Sequence, residues 1–125
     1  MAKPTVEDWL AAQTPSARAT IEPLRAAVLS TGLATEHIKW NGPSFCIDGD
    51  DRITLGLNPK GGVRAVLHRG VKAKDVAGFR FVDDSGLVEW AAPDRGVVHF
   101  ADEAAATTSV EAFAALSRRW LDATR

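Results

Sequence analysis

The amino-acid sequence predicts an α+β domain in which N-terminal helices and a C-terminal helix flank a five-stranded antiparallel sheet. Apolar residues recur at helical spacing near the start of the chain and again near its end. Between these regions they alternate with polar residues, which is the period of a β-strand. Clusters of Gly, Asp, Asn and Pro separate the alternating stretches and are typical of hairpin turns. We therefore expect the helices to pack on one face of a single sheet.

Length and composition fit one domain and argue against several classes of protein. With 125 residues, of which 46% are hydrophobic and 25% charged, the chain has room for one core, and we assign residues 1–125 to a single domain. A net charge of −1 argues against binding to nucleic acid or to a membrane surface. The single cysteine rules out an internal disulfide, and no apolar signal segment is visible, so we expect a cytoplasmic protein.

Two helices are predicted before the sheet. Thr5 and Asp8 have the spacing of a capping pair that opens the first helix, and the second begins at Pro15. Pro23 interrupts the apolar pattern of the second helix. We expect that helix either to kink at Pro23 or to restart near Thr20, and we prefer the restart.

The sheet is predicted to begin at Pro43, after a short helical turn over residues 35–39. From Pro43 onward the apolar residues alternate, and turn-forming residues bound each stretch. Every strand is expected to run antiparallel to its neighbours in sequence. The five predicted strands are residues 44–48, 52–57, 63–68, 87–91 and 97–100.

The last helix is predicted from a capping box and an apolar stripe. Thr108 and Glu111 have the spacing of the box. Phe113, Leu116 and Trp120 recur at helical spacing after it, and we expect them to lie in the core.

Five segments, in order along nearly the whole chain, carry a family signature. They are IKWNGPSF (38–45), VLHRGVK (66–72), the residues from Gly86 to Trp90, DRGVVHF (94–100) and Arg119-Trp120. In these segments the chain resembles the YdhG-like family of small bacterial domains. The resemblance implies a frataxin-like arrangement of helices over an antiparallel sheet, and some relatives are described as intracellular iron chaperones. It supplies no catalytic residues, and we expect no resident cofactor, iron being possible only under the chaperone alternative.

The candidate ligand site combines the corner from Trp40 to Phe45 with a basic element downstream. The two aromatic residues offer flat apolar faces beside the amide of Asn41, which both donates and accepts hydrogen bonds. The alternative is a structural corner whose aromatic residues lie in the core. The predicted ligand-binding residues are Trp40, Asn41, Pro43, Phe45, His68, Arg69 and Lys72.

A local excess of positive charge accompanies the second half of this site. Between residues 60 and 80 the chain has six Lys or Arg residues and one acid, Asp75. Such an excess attracts anions, unless acids from elsewhere neutralise it. The expected partner is therefore a small, anionic ligand or another protein, bound without catalysis.

For these residues to form one site, Trp40, Asn41, Phe45 and His68 must converge in space. In a meander of equal strands, the start of the first strand and the end of the third lie at opposite ends of the sheet. Convergence therefore requires that Trp40 reach along the sheet beneath the helices or that the strands be staggered. A distance from Trp40 to His68 above about 10 Å would exclude a shared small ligand.

Two other functions stay open. The first is an iron-binding chaperone, for which the predicted helices offer few acids, interrupted by basic residues; these acids are Glu7, Asp8, Glu22 and Glu36. The second is an enzyme in which His68 acts as general acid or base and Glu36 orients it.

Local sequence motifs predict no metal site. The residues His37, His68 and His99 lack ligand spacing, so only the fold can bring them together. Cys46 is expected to be a buried thiol, and the acidic stretch from Asp48 to Asp51 is expected to be a hairpin turn.

Overall fold

The computed structural model describes residues 4–70 and 77–125, and within them it shows an α+β fold with six antiparallel strands. The helices are α1 (Val6–Ala11), α2 (Pro15–Leu29) and α3 (Glu103–Ala123). The strands are β1 (Thr35–Lys39), β2 (Gly42–Ile47), β3 (Asp50–Leu57), β4 (Val63–Leu67), β5 (Glu89–Ala92) and β6 (Arg95–Phe100). They lie in the order β1-β2-β3-β4-β6-β5. The predicted fold class is confirmed, with one strand more than expected.

The additional strand, β1, occupies residues that were predicted to form a helical turn. It pairs along its whole length with β2, from Thr35 opposite Cys46 to Lys39 opposite Gly42. Five residues are too few for a stable helix, whereas the ladder to β2 pairs the backbone groups of β1 that face β2. The Trp40–Asn41 segment is consequently the turn of a hairpin rather than a corner between a helix and a strand.

The strands do not follow a meander throughout. β4 pairs with β6, with Ala65 opposite Val98, and β5 lies beyond β6 at the edge of the sheet. β4 and β5 are thus not adjacent, contrary to the prediction for sequence neighbours. β6 contributes the buried side chains Val98 and Phe100, whereas β5 is mostly exposed, so the more apolar strand takes the interior position.

The helix α2 is continuous. Its N-cap is Thr14, whose hydroxyl oxygen accepts a hydrogen bond from the backbone of Ala17. Pro23 lies inside the helix, so the predicted restart near Thr20 is wrong. Buried residues lie on both sides of the proline, and their packing outweighs its cost of roughly 3 kcal/mol.

The N-cap of the helix α3 lies six residues earlier than predicted. Asp102 is the N-cap, and its carboxylate accepts a hydrogen bond from Ala105 N at 2.9 Å. Thr108 and Glu111 are exposed residues of the helix interior, so they form no capping box. The predicted core stripe is confirmed, since its residues are all fully buried: Phe113, Leu116 and Trp120.

The sheet has an apolar face and a polar face. The apolar face packs against the helices through residues such as Phe45, Ile53 and Leu67, which belong to one core cluster. On the opposite side, one row of paired residues crosses all six strands. This row, from β1 to β5, is His37, Ser44, Thr54, Val66, Val97 and Glu89. We call this side of the sheet the polar face. Among the described residues, no helix combines the length and the apolar character needed to cross a bilayer.

Candidate functional site

The turn between β1 and β2 has an unusual residue at its first central position. Trp40 has a φ of 54° and Asn41 a φ of 58°, so both lie in the left-handed region. Two-residue hairpins of type I′ require this conformation, and Asn, Asp and Gly are the residues that adopt it readily. For tryptophan it costs on the order of 1–2 kcal/mol. The surroundings of Trp40, rather than its backbone preference, therefore hold it in place.

The indole of Trp40 lies against the imidazole of His68. The ring centroids are 4.9 Å apart and the planes are inclined by 35°. Trp40 is 49% exposed, whereas His68 is only 2% exposed. The predicted proximity of these two residues is confirmed, although the indole reaches back along the polar face and not beneath the helices.

A chain of side-chain hydrogen bonds crosses the polar face from His37 to His68. His37 Nε2 lies 2.7 Å from Asp51 Oδ1, and Ser44 Oγ donates to the same oxygen at 2.6 Å. The Ser44 and Thr54 hydroxyls are 2.7 Å apart, and Thr54 Oγ1 lies 2.9 Å from His68 Nε2. All members except His37 are buried, so the chain is shielded from water at every position but its first.

The neighbouring backbone fixes the direction of these hydrogen bonds. Gly70 N donates to His68 Nδ1 at 3.1 Å, so in the neutral ring the proton is on Nε2. His68 Nε2 then donates to Thr54, and the Thr54 hydroxyl donates to Ser44. The Ser44 hydroxyl in turn donates to the carboxylate of Asp51. Each hydroxyl accepts one hydrogen bond and donates one, so the chain is fully satisfied and rigid.

Two members of this chain, His68 and Asp51, have shifted pKa values. Burial lowers the pKa of His68 to about 4, and the positive charges of Arg95 and Arg52 add to this effect against the attraction of Asp51. Burial alone would raise the pKa of Asp51, but hydrogen bonds from Ser44 and His37 outweigh it and the pKa is lowered. The chain therefore links a neutral imidazole to an ionised carboxylate.

A β-bulge brings Asp51 onto the polar face. Phe45 is opposite Ile53, but the next residue, Cys46, is opposite Asp51, so β3 contains one extra residue at this point. Without the bulge, Asp51 would share the apolar face with Ile53. With it, the Asp51 side chain points to the same side as Ser44 and Cys46.

The bulge also creates the one group among the described residues whose side chains are spaced to hold a metal ion. The donor atoms of His37, Cys46 and Asp51 all lie within 4.8 Å of one another. The Cys46 thiol lies 3.9 Å from Asp51 Oδ1 and is buried, as predicted for this residue.

The structure brings together only part of the predicted ligand set. The side-chain oxygen of Asn41 is engaged by α1, since it accepts a hydrogen bond from Trp9 Nε1 at 3.3 Å. Phe45 lies in the core on the apolar face, so the predicted convergence of Phe45 with Trp40 does not occur. Pro43 is likewise buried, opposite Ile38. These residues form the framework of the turn and not a shared pocket wall.

Of the predicted basic residues Arg69 and Lys72, only Arg69 belongs to the described part of the chain. Arg69 donates two hydrogen bonds to Asp94 Oδ2, at 3.0 and 2.8 Å, and its guanidinium lies 4.2 Å from the centre of the Phe79 ring. Lys72 and the neighbouring Lys74 lie outside the described residues. Arg69 is therefore part of a structural ion pair.

The helical acids and Glu36 are engaged elsewhere. Both carboxylate oxygens of Glu36 accept hydrogen bonds from Arg25 of α2, so Glu36 faces the helices. His68 lies on the other face of the sheet, and the Glu36–His68 contact that the enzymatic alternative requires is not formed. Glu7 also pairs with Arg25, and Asp8 caps α1. Of the four acids of the iron-chaperone alternative, these three therefore have partners, and Glu22 is exposed on α2.

A second row of the polar face carries positive charge beside open space. Lys39 is opposite Gly42, and Gly56 is opposite Arg64, which is in turn opposite His99. A Cβ atom added at Gly56 would meet nothing within 4 Å. In the described part of the chain, neither Lys39 nor Arg64 forms a salt bridge. The row is suited to an anion above Gly56.

Reasoning from sequence missed the buried polar residues of the site. Ser44 and Thr54 lie in the middle of apolar strands. Their position could have indicated a hydrogen-bonded pair, because a buried hydroxyl requires a partner. Asp51 carried no such signal, since its stretch also fits a hairpin turn. Only the bulge, which sequence does not reveal, connects Asp51 to Ser44 and His37.

Comparisons with known proteins leave the site to be interpreted from its geometry, because no protein-family model, curated protein or solved structure matches this chain.

Proposed function

We propose that this chain is a small-ligand-binding domain of the YdhG-like family, and that it binds, without catalysis, a molecule with a planar ring and a negative charge. Trp40 is the observation that carries the proposal. Its indole is half exposed, yet it is fixed in a left-handed turn and backed by the buried ring of His68. A flat aromatic surface held in this way is suited to stacking against a planar group.

The conformation of the turn does not explain why residue 40 is a tryptophan. Glycine or asparagine would form the same turn without the conformational cost. Stacking of Trp40 on His68 contributes roughly 0.5–1.5 kcal/mol, which offsets much of that cost but leaves little net gain in stability. Strained residues of this kind are concentrated at binding sites, and a binding role for the exposed half of the indole explains the choice.

The charge of the ligand follows from the row of residues next to Trp40. Lys39 and Arg64 flank the open space above Gly56, on strands that are three positions apart in the sheet. With roughly 4.8 Å between neighbouring strands, their backbones are about 14 Å apart. Two long basic side chains reach across that gap from both sides, and they would bind a carboxylate or phosphate between them.

The state of His68 supports binding over catalysis. Both ring nitrogens are engaged, one by Gly70 and the other by Thr54. A pKa of about 4 keeps the ring neutral at physiological pH. A general acid or base works best with a pKa near the working pH and with a nitrogen free to reach the substrate. The role of His68 is therefore to pack against the indole of Trp40.

The proposal is tested with probes that differ in charge. The freshly purified chain is analysed by native mass spectrometry for a retained ligand and for the subunit count. Adenosine monophosphate, indoleacetate and uncharged adenosine are then titrated calorimetrically. We expect at least one anionic probe to bind and adenosine to bind more weakly, by about tenfold or more, because it lacks the charged group.

Substitution of the indole separates binding from folding. Trp40→Asn retains the turn, so we expect the free energy of unfolding to change by less than about 1 kcal/mol. Binding of the anionic probe should weaken by about tenfold or more, because stacking is lost. Trp90→Phe is the control, since Trp90 is also partly exposed, at 37%, but packs near Trp120 on the other side of the sheet.

Three outcomes would contradict the proposal. One is the absence of both a retained ligand and any binding of the anionic probes. Another is undiminished binding by Trp40→Asn. The third is equal binding of adenosine and adenosine monophosphate, which would remove the role of Lys39 and Arg64.

A further inference from the structure

The polar face contains a second cluster, about the bulge in β3, which the proposed ligand site does not use. Three different donor groups come from three adjacent strands: the imidazole of His37 from β1, the thiol of Cys46 from β2 and the carboxylate of Asp51 from β3. We propose that these three side chains bind one divalent transition-metal ion of the Zn²⁺ or Co²⁺ type.

Two of the three distances between donor atoms fit a tetrahedral ion after a small adjustment, and the third, between His37 and Cys46, is within 4.8 Å. Bonds of about 2.0–2.3 Å from zinc to N, O and S place tetrahedral donors roughly 3.3–3.8 Å apart. Cys46 Sγ is 3.9 Å from Asp51 Oδ1, which is close to that value. His37 Nε2 is 2.7 Å from the same oxygen, so this pair must open by less than about 1 Å. The His37 side chain is 43% exposed and is free to make that movement.

The backbone fixes the other two donors. Cys46 and Asp51 are directly paired across β2 and β3, and the bulge directs both side chains to the polar face. Ser44 donates a hydrogen bond to Asp51 at 2.6 Å and orients the carboxylate. Outer contacts of this kind hold metal ligands in position. The site is thus largely formed before a metal arrives.

The donor set selects the kind of ion. Thiolate sulfur and imidazole nitrogen favour zinc and cobalt over magnesium or calcium, which prefer oxygen donors alone. One thiolate and one carboxylate balance the charge of a divalent ion. Three protein donors leave the fourth tetrahedral position to solvent or to an exogenous donor.

Binding is coupled to the release of one proton. In the metal-free protein, burial raises the pKa of the Cys46 thiol to about 11, and the nearby charge of Asp51 adds to the effect. The ion displaces the thiol proton to solvent and forms the bond to sulfur. His37 binds the ion through Nε2, the nitrogen that lies 2.7 Å from Asp51 Oδ1 in the metal-free protein.

Cobalt reports directly on the sulfur ligand. Full-length protein, first freed of metal with a chelator, is titrated with Co²⁺ alone and followed by absorbance. We expect one Co²⁺ per chain, with a thiolate-to-cobalt charge-transfer band in the near ultraviolet and visible bands of a tetrahedral ion. Zn²⁺ added afterwards should abolish both signals by displacement.

Matched variants identify the ligands. Cys46→Ser should abolish the charge-transfer band, and His37→Gln should weaken Co²⁺ binding by about tenfold or more. His37→Gln changes an exposed side chain, so folding is retained even if Cys46→Ser is unstable. His99→Gln is the control, because His99 is a similarly exposed histidine of the polar face, 49% exposed, and lies 3.8 Å from Glu89. It should bind Co²⁺ like the original protein.

The proposal of a metal site and the proposal of a ligand site can be tested independently. Trp40→Asn should retain the cobalt bands even where it loses the anionic probe, because Trp40 supplies no donor. The metal proposal is overturned if the original protein shows no charge-transfer band. It is equally overturned if the band survives in His37→Gln at undiminished affinity, or if His99→Gln weakens binding as much as His37→Gln does.

Discussion

At the scale of single residues, His68 is a titratable side chain that folding removes almost completely from water. It is almost completely buried on the polar face of a sheet, with one nitrogen accepting from Gly70 and the other donating to Thr54. Its neutral form satisfies both contacts, whereas its protonated form would place a second donor against the Gly70 amide. Folding therefore selects the neutral imidazole.

This selection predicts that stability falls in mild acid. The pKa of His68 is lowered from 6.5 to about 4, so the unfolded chain takes up a proton at a higher pH than the folded chain does. Stability is fully present above pH 6.5 and is lost as the pH falls from 6.5 toward 4. The expected loss is on the order of 3 kcal/mol, measured by urea unfolding over a pH series.

The matched variant for this measurement is His68→Gln, which does not titrate. Its free energy of unfolding should vary less over the same interval, whatever its absolute stability. Protonation of Asp51 does not contribute to the change in stability over this interval. Its pKa is lowered from 3.8, so its effect on the free energy of unfolding lies below that pH. A slope between pH 6.5 and 4 that is the same in both proteins would show that His68 is not its source.

At the scale of the elements, two fully buried serines make opposite contributions. Ser44 of β2 takes part in the hydrogen-bond chain through Asp51 and Thr54. Ser117 of α3 is equally buried, yet its hydroxyl has no hydrogen-bond partner among the described residues. Burial of an unpaired hydroxyl destabilises the fold, whereas a hydrogen bond offsets most of the cost of desolvating a buried hydroxyl.

We therefore expect alanine to have opposite effects at the two serines. Ser117→Ala should raise the free energy of unfolding by about 0.5–1 kcal/mol, since it removes an unpaired polar group. Ser44→Ala should lower it by about 1.5–3 kcal/mol, because Thr54 and Asp51 each lose a partner. Thermal and chemical unfolding of both variants measure the difference. Destabilisation of equal size at both positions would contradict the assignment.

Part of the architecture could be predicted from sequence because local signals were strong. The capping box at Thr5 and the stripe ending at Trp120 were confirmed, since caps and helical spacing act within a few residues. The stretch from Thr35 to Lys39 was not predicted as a strand, because only pairing with β2 stabilises it. Pairing between distant segments leaves little local trace in a sequence.

The candidate site could be predicted only in part for the same reason. Trp40 stood out as one of a pair of aromatic residues and His68 as part of a basic element, and the two are in contact. Phe45 was assigned to the same site, but strand alternation places it on the apolar face. The role of Asp51 depends on one extra residue in β3, and no residue type marks a bulge of that kind unambiguously.

At the scale of the whole molecule, Trp120 joins the last helix to the sheet. Its indole N–H donates to the backbone carbonyls of Arg52 and His68, at 2.9 and 3.2 Å. Its ring contacts three other aromatic rings, those of Phe79, Phe81 and Trp90. One side chain thus links α3 to β3, to the end of β4 and to the segment before β5.

Removal of this link should destabilise the whole fold. Trp120→Ala is expected to cost on the order of 3–5 kcal/mol, because it leaves a large cavity and removes one hydrogen bond from each of two backbone carbonyls. Trp120→Phe should cost less, since it retains most of the ring contacts. Circular dichroism of the thermal transition measures both variants. A melting temperature of Trp120→Ala close to that of the original protein would exclude this role.

The two outermost strands explain why the sheet ends at six strands. The backbone groups along an outer edge are unpaired and are able to template association with another chain. β1 carries Glu36, His37 and Lys39, so charged or ionisable side chains line one edge. β5 has only four residues, and its pairing with β6 is interrupted by a register shift after Trp90. Both edges are thus protected against aggregation by features that natural sheets commonly use, namely charge, shortness and irregularity.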